Sequence, residues 1–565
     1  MAQLAILLAL ALSLLYTSAR AAVVEHTFRV GNLTVRQLCE ERVVVAVNGR
    51  LPGPTIQAYE GDTLIVHVLN ESPYNLTMHW HGVFQRRSAW ADGPAYVTQC
   101  PIQPGQSYTY KFDVVGQEGT LWWHAHASWL RATVYGALIV LPRPGSQPYP
   151  FPQPYAEVPI LLGEWWNADV VAVETTGQVT GGLPNVSDAF MVNGKPGDRY
   201  PCSSQDMYTL TVVPGKAFLL RIINAALNNQ LFFKIAGHSL TVVAVDANYV
   251  NPYRADVVVI ASGQTVDALL VADAAPGSYY MAALPYVSTE GVEFDATIAT
   301  GVVKYESTLP SLKPVMPALP FFNETATAYR FYSSLTGLRR RGSPAVPLTV
   351  DEKMFIAFGL GLIQCPDAAP CNGALGERLA GSMNNISFQL PSEMSLLEAS
   401  YHGVKGVYTP DFPNRPPREF DYANPDFTYD FGLVQTAWGT RVKRVKYNAT
   451  VEVVLQKTSL LALQSHPIHL HGFDFFVLAQ GFGTYNATAA EKKFNLVNPQ
   501  VRNTISVPTG GWAVIRFVAD NPGIWLMHCH LDIHSSWGMA MAFEVEDGPT
   551  PSARLHPPPP DLPRC

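Results

Sequence analysis

Residues 523–530 read GIWLMHCH, and two related stretches occur earlier in the chain, GTLWWHAH at 119–126 and GSYYMAAL at 277–284. Each is preceded by a longer pattern of two apolar runs that are joined by a turn and end near a histidine. The three copies of this pattern lie at 61–82, 215–238 and 448–472. Two elements that recur three times in the same order predict three related domains.

The composition predicts that these domains are all-β. Short runs rich in Val, Ile, Leu, Thr and Tyr alternate with turn residues, and 45 prolines and 42 glycines would interrupt long helices. We expect β-sandwich or barrel domains near 23–145, 155–305 and 345–565, with the Pro-rich segment 306–345 as a linker.

The charge and the N-terminus limit the class of protein. A net charge of −7 at pH 7 leaves no basic surface for nucleic acid, and the RRR run at 339–341 is expected to be a solvated loop. Residues 1–22 combine an apolar run with small residues and predict a secretory signal peptide. No other segment approaches the roughly 18 consecutive apolar residues of a membrane-spanning helix. We therefore expect a soluble, secreted mature chain without a membrane anchor.

Cysteines and glycosylation sequons agree with secretion. Seven cysteines become six if Cys529 binds a metal, an even number that suits disulfides in an oxidising compartment. Cys365 and Cys371 are close enough to close a small loop. Eight Asn-x-Ser/Thr sequons predict an N-glycosylated surface, although Pro73 follows the sequon of Asn70 and disfavours it. The sequons begin at Asn32, Asn70, Asn75, Asn185, Asn323, Asn385, Asn448 and Asn486.

The segment after residue 528 has the composition of a metal site. His534 and Met539 follow Cys529 by five and ten residues, a spacing that suits a His₂Cys site with a weak axial thioether, the geometry of blue-copper electron transfer. One histidine of that set must come from elsewhere. The alternatives are a disulfide cysteine among structural histidines and a zinc site, which favours closed N/S tetrahedra without a long methionine arm.

Four His-x-His pairs predict a second metal site. Alternate residues on a strand share a face, so each pair presents two imidazoles to one side. Imidazole suits copper, and eight rings converging between domains one and three could hold a multinuclear copper cluster. Structural histidines in a core would explain one pair but not four. The pairs are His79/His81, His124/His126, His469/His471 and His528/His530.

The middle domain lacks these pairs. Ala282 and Leu284 stand where the other copies have histidines. His238 is present at the end of the first element, but a lone histidine is more often a hydrogen-bonded structural residue. We expect no copper in domain two.

Strand alternation also supplies the missing ligand of the Cys529 site. His466 lies three residues before His469 and points to the opposite face if the segment is extended. It is therefore predicted to join Cys529, His534 and Met539. Because Cys529 has a histidine on each side, an electron would have a short bonded route between the two sites.

With these motifs the chain resembles the plant laccases of the multicopper oxidase superfamily, over nearly the whole mature chain. The resemblance rests on HWHG, WADGPAYVTQCPIQPGQSYTY, GTLWWHAH, GEWWNADV, PNVSDAF, HPIHLHGFDFFV, GGWAVIRFVADNPGIW, HCHLDIH and the terminal DLPRC. It implies three cupredoxin-like Greek-key domains. It also implies a mononuclear type 1 copper in domain three and a trinuclear cluster between domains one and three.

The resemblance further implies a role for each ligand, with four coppers per chain. His79 and His469 look like the type 2 ligands, His81, His124 and His530 would hold one type 3 copper, and His126, His471 and His528 the other. The type 1 copper would be held by His466, Cys529, His534 and Met539. The implied disulfides are Cys39–Cys202 and Cys100–Cys565, which leaves Cys365–Cys371 as the third.

Three more positions follow from the resemblance. Asp92 and Asp532 match acidic positions near the cluster, where an aspartate either only orients an imidazole or delivers protons. Met539 occupies the axial position at which many laccases carry Leu, which argues against a high-potential enzyme.

The predicted function is that of a secreted laccase. It would take single electrons from phenols such as monolignols at the edge of His534, pass them through Cys529, His528 and His530, and reduce dioxygen to water. We expect a glycosylated monomer in the apoplast or cell wall, active in lignin polymerisation or degradation. An ascorbate oxidase would share these ligands and the axial methionine, but GEWWNADV and PNVSDAF favour a laccase. A non-catalytic cupredoxin-domain cell-wall protein is disfavoured because all ten ligand histidines and Cys529 are present.

Overall fold

The structure is a computed structural model that describes residues 21–200, 203, 207–289, 291–306, 313–365, 371 and 376–565. The predicted signal peptide lies outside these residues except for its last two positions. None of the described helices combines the length and the apolar composition that are needed to cross a membrane. The described chain is built mainly of strands, which form three units of two sheets each.

The first unit packs two four-stranded sheets. Its strands are β1 (Val23–Gln37), β2 (Glu40–Val47), β3 (Ile56–Tyr59), β4 (Thr63–Asn70), β5 (Met78–His81), β6 (Ser107–Asp113), β7 (Gly119–Ala125) and β8 (Tyr135–Leu141). The sheet orders are β2-β1-β4-β6 and β3-β8-β7-β5. Along β4 the burial alternates residue by residue, as expected for a strand with one face in the core.

The second unit has sheets of six and five strands. Its strands are β9 (Ala156–Trp165), β10 (Ala189–Val192), β11 (Tyr208–Val212), β12 (Ala217–Asn224), β13 (Gln230–Ile235), β14 (Leu240–Val245), β15 (Asn248–Ala255), β16 (Val258–Ile260), β17 (Thr265–Val271), β18 (Ser278–Tyr286) and β19 (Ala299–Tyr305). The sheet orders are β10-β9-β12-β17-β14-β15 and β11-β19-β18-β13-β16.

The third unit has sheets of eight and five strands. Its strands are β20 (Glu352–Gln364), β21 (Glu377–Met383), β22 (Ile386–Phe388), β23 (Ala437–Gly439), β24 (Val442–Val445), β25 (Ala449–Lys457), β26 (His466–Leu470), β27 (Phe475–Phe482), β28 (Val501–Arg502), β29 (Thr504–Val507), β30 (Gly511–Ala519), β31 (Gly523–Cys529) and β32 (Ala540–Val545). The sheet orders are β23-β22-β21-β20-β25-β30-β27-β28 and β24-β32-β31-β26-β29.

The three units share one topology, which confirms the predicted fold class of three cupredoxin-like domains. In each, the first strand pairs in parallel with the first strand of the longer repeat: β1 with β4, β9 with β12, and β20 with β25. The second repeat forms β7, β18 and β31. Each is the central strand of a matching trio, β8-β7-β5, β19-β18-β13 and β32-β31-β26. Each unit also has its own large apolar core.

Helices connect the strands outside the sheets. The α-helices are α1 (Val170–Thr180), α2 (Thr325–Ser334), α3 (Leu396–His402), α4 (Phe431–Val434), α5 (Ala487–Ala490) and α6 (Asp532–Ser536). Short 3₁₀ helices lie at Ala89–Ala91, Ser128–Ala132, Pro425–Tyr429, Glu491–Lys493 and Pro551–Ala553. Helix α2 lies within the segment predicted as a linker, and its Phe331 and Tyr332 pack into the core of the second domain.

Covalent links join distant parts of the chain. Cys100 of domain one is bonded to the terminal Cys565, and Cys365 is bonded to Cys371, as predicted. Cys202, the predicted partner of Cys39, lies outside the described residues. The sequon at Asn70 is buried, and its amide donates to the carbonyls of Tyr74 and Ile102 at 2.8 Å, so the folded chain cannot carry a glycan there.

Candidate metal centre

Two hairpins bring the His-x-His pairs to one buried place. In domain one β5 pairs with β7, so that His79 lies opposite His124. In domain three β26 pairs with β31 in the same way, and His469 lies opposite His528. The rings of the two hairpins meet between the domains, where the centroids of His81 and His469 are 3.8 Å apart.

The predicted ligands form four groups in which the candidate ligand atoms lie within 4.8 Å of one another. The groups are His79, His81 and His469; His81, His124 and His530; His126, His471 and His528; and His466, Cys529 and His534. His126 is half-buried and the others are buried. Three groups contain the residues that the resemblance implies for the type 3 coppers and for the His₂Cys part of the type 1 site, and the first group adds His81 to the implied type 2 pair. The binding of copper by each residue stays a prediction.

Several of these imidazoles are anchored through Nδ1 and leave Nε2 free. His79 donates from Nδ1 to the carbonyl of Asp92 at 2.7 Å, and His124 to that of Ala125 at 2.8 Å. Buried polar atoms without a partner are costly, and metal-binding histidines typically donate their other N–H to an oxygen. These residues therefore fit a bound metal. Nε2 has no hydrogen-bond partner in the cluster histidines His79, His124, His126 and His469.

His471 and His528 give the same indication. Nδ1 of His471 lies 2.8 Å from Oδ2 of Asp92, and Nδ1 of His528 lies 2.9 Å from the carbonyl of Cys529. Because both Nδ1 atoms donate, neither Nε2 atom carries a proton. The lone pairs of the two Nε2 atoms therefore point toward each other across 3.2 Å and repel. A cation between the rings would turn this repulsion into attraction.

Burial keeps the imidazoles neutral. It lowers the pKa of His528 and His534 to about 3. The same cause lowers the pKa of seven more histidines well below the ordinary range: His81, His124, His126, His466, His469, His471 and His530. Neutral imidazole is the form that binds metals.

A separate group surrounds Cys529, the free and buried cysteine of the described chain. Its Sγ lies 3.4 Å from Nδ1 of His466 and 3.6 Å from Nδ1 of His534. The two imidazole centroids are 4.6 Å apart. Burial raises the pKa of the Cys529 thiol to about 12, so a metal is needed to ionise it at neutral pH. One thiolate and two imidazoles suit copper.

Met539 is held directly beside this group. The amide of Cys529 donates to the carbonyl of Met539 at 3.0 Å, and the amide of Met539 donates to the carbonyl of His534 at 2.9 Å. Met539 is fully buried in the domain-three core. The axial role of its sulfur stays a prediction.

Asp92 contacts two predicted ligands at once. Its Oδ2 lies 2.8 Å from Nδ1 of His471, and its Oδ1 lies 3.3 Å from Nδ1 of His79. Asp92 is fully buried. This geometry favours the orienting role over proton delivery, because Asp92 holds a ring from each of two domains, His471 through its carboxylate and His79 through its backbone carbonyl.

Asp532 lies at a cavity that reaches the histidine cluster. The cavity, of about 280 Å³, is lined by His126, His528, Asp532 and Glu174 among others. Oδ2 of Asp532 lies 3.2 Å from Nε of the buried Arg131. Burial raises the pKa of Asp532 to about 6 and that of Glu174 to about 7. Both acids can therefore exchange protons near neutral pH.

Arg131 and Glu174 were not among the sequence-predicted residues. Arg131 contacts the ring of His530 and donates to its carbonyl at 3.0 Å. A sequence signal existed for it, since it is the single charged residue in the run GTLWWHAHASWLRATVYGALIV. Glu174 lies in helix α1, whose residues are mostly exposed or half-buried, and nothing in its local sequence indicated a functional role.

Domain two closes over the cluster without contributing an imidazole to it. Ser262 donates to the carbonyl of His530 at 3.1 Å, and Gln264 donates to the carbonyl of Thr504 at 3.0 Å. A Cβ on Gly263 would lie 2.8 Å from ring atoms of His530. His238 bonds through both nitrogens, to the carbonyl of Ala236 and the hydroxyl of Tyr305, which agrees with a structural role.

A second cavity, of about 230 Å³, opens beside His534. Its wall is mixed, with Trp166, Phe294 and Asp295 among its residues. The carboxylate of Asp295 accepts hydrogen bonds from the hydroxyl of Ser187 at 2.9 Å and from the amide of Thr297 at 2.8 Å. Burial raises the pKa of Asp295. The cavity has room for a small organic molecule, and the Asp295 carboxylate in its wall can accept a proton.

Comparison with known proteins gives full-length similarity. Family models described as multicopper oxidase match residues 29–145, 156–308 and 411–549. Laccase-7 of Arabidopsis thaliana is 58% identical over 551 residues, which is 96% of each chain. Laccase-25 of Oryza sativa subsp. japonica is 55% identical over 99% of each chain. The crystal structure of a laccase from Botrytis aclada superposes with a TM-score of 0.72 at 27% identity, covering 95% of this chain and 89% of that one.

Proposed function

We propose that this chain is a secreted enzyme that oxidises small phenols and reduces dioxygen to water. The proposal starts from its family: the chain belongs to the multicopper oxidases and is a laccase with copper as its cofactor. The observation that carries this proposal is the pairing of two groups of residues. One is a buried Cys529 site next to an open cavity, and the other is a cluster of imidazoles with unpartnered Nε2 atoms. Copper in these two sites would supply the one-electron steps.

The donor end of the proposed reaction is the cavity at His534. A phenol in this cavity would stack against apolar walls such as Trp166 and Phe294 and place its hydroxyl near a polar group. Loss of an electron makes a phenol strongly acidic, so a proton acceptor is needed at the same time. Asp295 is suited to take that proton, because it is buried and held by Ser187 and Thr297.

The chain itself connects the two sites. His534 and His466 flank the sulfur of Cys529, and the neighbours of Cys529 in the sequence are His528 and His530. On strand β31 the cysteine points to one face and the two histidines to the other. Electrons would therefore pass from donor to cluster along a few covalent bonds.

The acceptor end needs protons as well as electrons. Four phenols would give four phenoxyl radicals, and their four electrons and four protons would convert one dioxygen into two waters. Asp532 and Glu174 line the cavity that reaches His126 and His528 and can deliver protons from solvent. Arg131 holds Asp532 in place through its ion pair.

The cellular role follows from product chemistry and surface features. Phenoxyl radicals couple without an enzyme, so a laccase in the cell wall would polymerise monolignols or attack lignin without a polymer-binding site. Exposed sequons, as at Asn75 and Asn323, and the Cys100–Cys565 disulfide suit a secreted, glycosylated chain.

Ascorbate is a weaker candidate for the donor. It is an anion at neutral pH, and the cavity at His534 contains two carboxylic side chains, Glu293 and Asp295. A carboxylate wall disfavours an anionic donor and tolerates a neutral phenol.

The test is a direct comparison of donors on purified protein loaded with copper. We expect kcat/KM for a monolignol-type phenol to exceed that for ascorbate, with four phenols oxidised per dioxygen and no hydrogen peroxide released. An Asp295→Asn variant should slow phenol oxidation more than oxidation of a donor that loses no proton. Faster turnover of ascorbate, or peroxide as the main product, would contradict the proposal.

A further inference from the structure

Lys457 is buried in the third domain beside the Cys529 site. It is the last residue of β25, has no exposed surface, and lies opposite Phe358 of β20 in the sheet register. Cross-strand partners point to the same face of a sheet. Phe358 packs edge-on against the ring of His466, with centroids 5.8 Å apart, so Lys457 points to the side of the sheet that holds the metal site.

The ammonium group of Lys457 has carbonyl partners only. Its Nζ donates to the carbonyl of Thr458 and, at 3.1 Å, to that of Ala462. No described carboxylate forms an ion pair with it. Every other buried Lys or Arg of the described chain has a carboxylate within 3.2 Å. The pairs are Arg131 with Asp532, Arg221 with Asp267, Arg502 with Asp246 and Arg516 with Glu452.

The charges that Lys457 does meet belong to the predicted type 1 site. Burial is the main influence on the pKa of Cys529, His466 and His534, raising the first and lowering the other two, and the positive charge of Lys457 acts on all three in the lowering direction. Burial lowers the pKa of Lys457 to about 7, and the charge of a Cys529 thiolate acts in the opposite direction. A Cys529 thiolate, formed when a metal binds, would therefore favour the charged form of Lys457.

We propose that Lys457 is a specificity-determining residue whose buried ammonium group raises the reduction potential of the type 1 site and so extends oxidation to electron-poorer phenols. Reduction by one electron makes the site more negative, and a fixed cation nearby stabilises that state. The effect is large in a buried place, where the effective dielectric is low and salt screens little. The proposal deepens the proposed function and rests on it.

The alternative role for Lys457 is purely structural. Its two carbonyl acceptors belong to the segment 458–465, which leads directly into His466. Met has a similar length and volume and could fill the same space without charge, whereas Arg keeps the charge. These two substitutions separate an electrostatic from a packing role.

The experiment is a redox titration of the blue absorption in the copper-loaded wild type and in Lys457→Met. We expect the equilibrium constant for reduction to fall about tenfold, which for one electron corresponds to a potential lowered by about 59 mV. Lys457→Arg should stay close to the wild type. As a control, Lys443→Met removes a lysine of the same domain that is paired with Glu352 at 3.1 Å, and it should leave the potential unchanged.

Each outcome decides the matter. An unchanged potential in Lys457→Met, or equal shifts in the Met and Arg variants, would overturn the proposal. If Lys457→Met does not load copper, the Arg variant decides: a blue protein of wild-type potential supports a role of charge, and a colourless one shows a structural anchor. Absence of blue absorption in the wild type would instead contradict the proposed function.

Discussion

Strands β18 and β31 occupy the same place in domains two and three, but only β31 carries imidazoles. His528 lies in β31 and His530 directly follows it, and in β18 the equivalent residues are Ala282 and Leu284, both buried. Leu284, the equivalent of His530, belongs to the apolar core of domain two, whereas His528 lies opposite His469 and helps to form a polar cluster. One topology therefore supports both an ordinary core and a candidate metal site.

The difference shows what domain two contributes. It lacks the imidazoles but supplies Ser262, Gly263 and Gln264, which cover His530 and Thr504. It is also tied to domain three by the buried pair of Asp246 and Arg502, with Oδ2 and Nε 2.9 Å apart. We interpret domain two as a clamp that fixes domains one and three around the cluster.

The largest effect is expected from removing the thiolate. Cys529→Ser should abolish blue absorption and phenol oxidation together, because a hydroxyl replaces the sulfur that flanks His466 and His534. The cluster histidines should still bind copper. The matched control is Ala283→Ser, at the equivalent buried position of β18, which should keep both properties. A blue Cys529→Ser protein would contradict the assignment.

The clamp predicts the next largest effect. Gly263→Ala would bring a methyl group to 2.8 Å from ring atoms of His530, at a backbone φ of +90°. Displacing a ligand by about 1 Å costs on the order of 100-fold in rate, so dioxygen uptake should fall by that factor while blue absorption remains.

The control for the clamp is another glycine of domain two. Gly215→Ala has a similar φ of +75°, but its Cβ would meet nothing within 4 Å, so only backbone strain is added. Equal losses of dioxygen uptake in the two variants, measured with an oxygen electrode, would argue against a specific contact with His530.

Proton delivery gives a third, smaller effect. Asp532→Asn should slow dioxygen reduction by roughly 10²-fold, the usual contribution of a positioned acid, and leave reduction of the type 1 site by phenol unchanged. Since burial raises the pKa of Asp532 to about 6, its acid form is lost as pH rises through 6, and the wild-type rate should fall over that range. Stopped-flow of the separate half-reactions measures both.

Two other groups face Asp532 and must be considered in that profile. Arg131 is paired with it, and Glu174 titrates near pH 7 for the same reason of burial. A Glu174→Gln variant should retain the pH dependence near 6. Equal slowing of both half-reactions in Asp532→Asn would leave only an orienting role for Asp532.

The smallest effect concerns Met539. An axial thioether stabilises Cu(II), so Met539→Leu should raise the type 1 potential by about 59 mV, a tenfold change in the equilibrium constant. Met541→Leu, at another fully buried methionine of the same core, should not. If redox titration shows no rise for Met539→Leu, the methionine belongs to the core alone.

Much of the architecture could be predicted from local patterns. The threefold repeat predicted the number of domains, since β4, β12 and β25 come from the three copies of the longer pattern, and β7, β18 and β31 from the three copies of the shorter one. Strand alternation separated Cys529 from His528 and His530, and His466 from His469. These predictions succeed because side-chain direction on a strand depends only on neighbouring residues.

The environment of the site depended on the tertiary structure. Asp92 contacts rings of two domains, and Arg131 pairs with Asp532 some 400 residues away in sequence. Gly263 of domain two leaves no room for a Cβ beside the His530 ring. Lys457 is the last residue of its strand, a position typical of a surface lysine, and its burial follows only from the packing of the folded domain. By itself the sequence determined which residue types recur and which face of a strand they occupy, because those properties are local. The charges, cavities and second contacts that tune the site come from segments that meet only when three separate cores pack together.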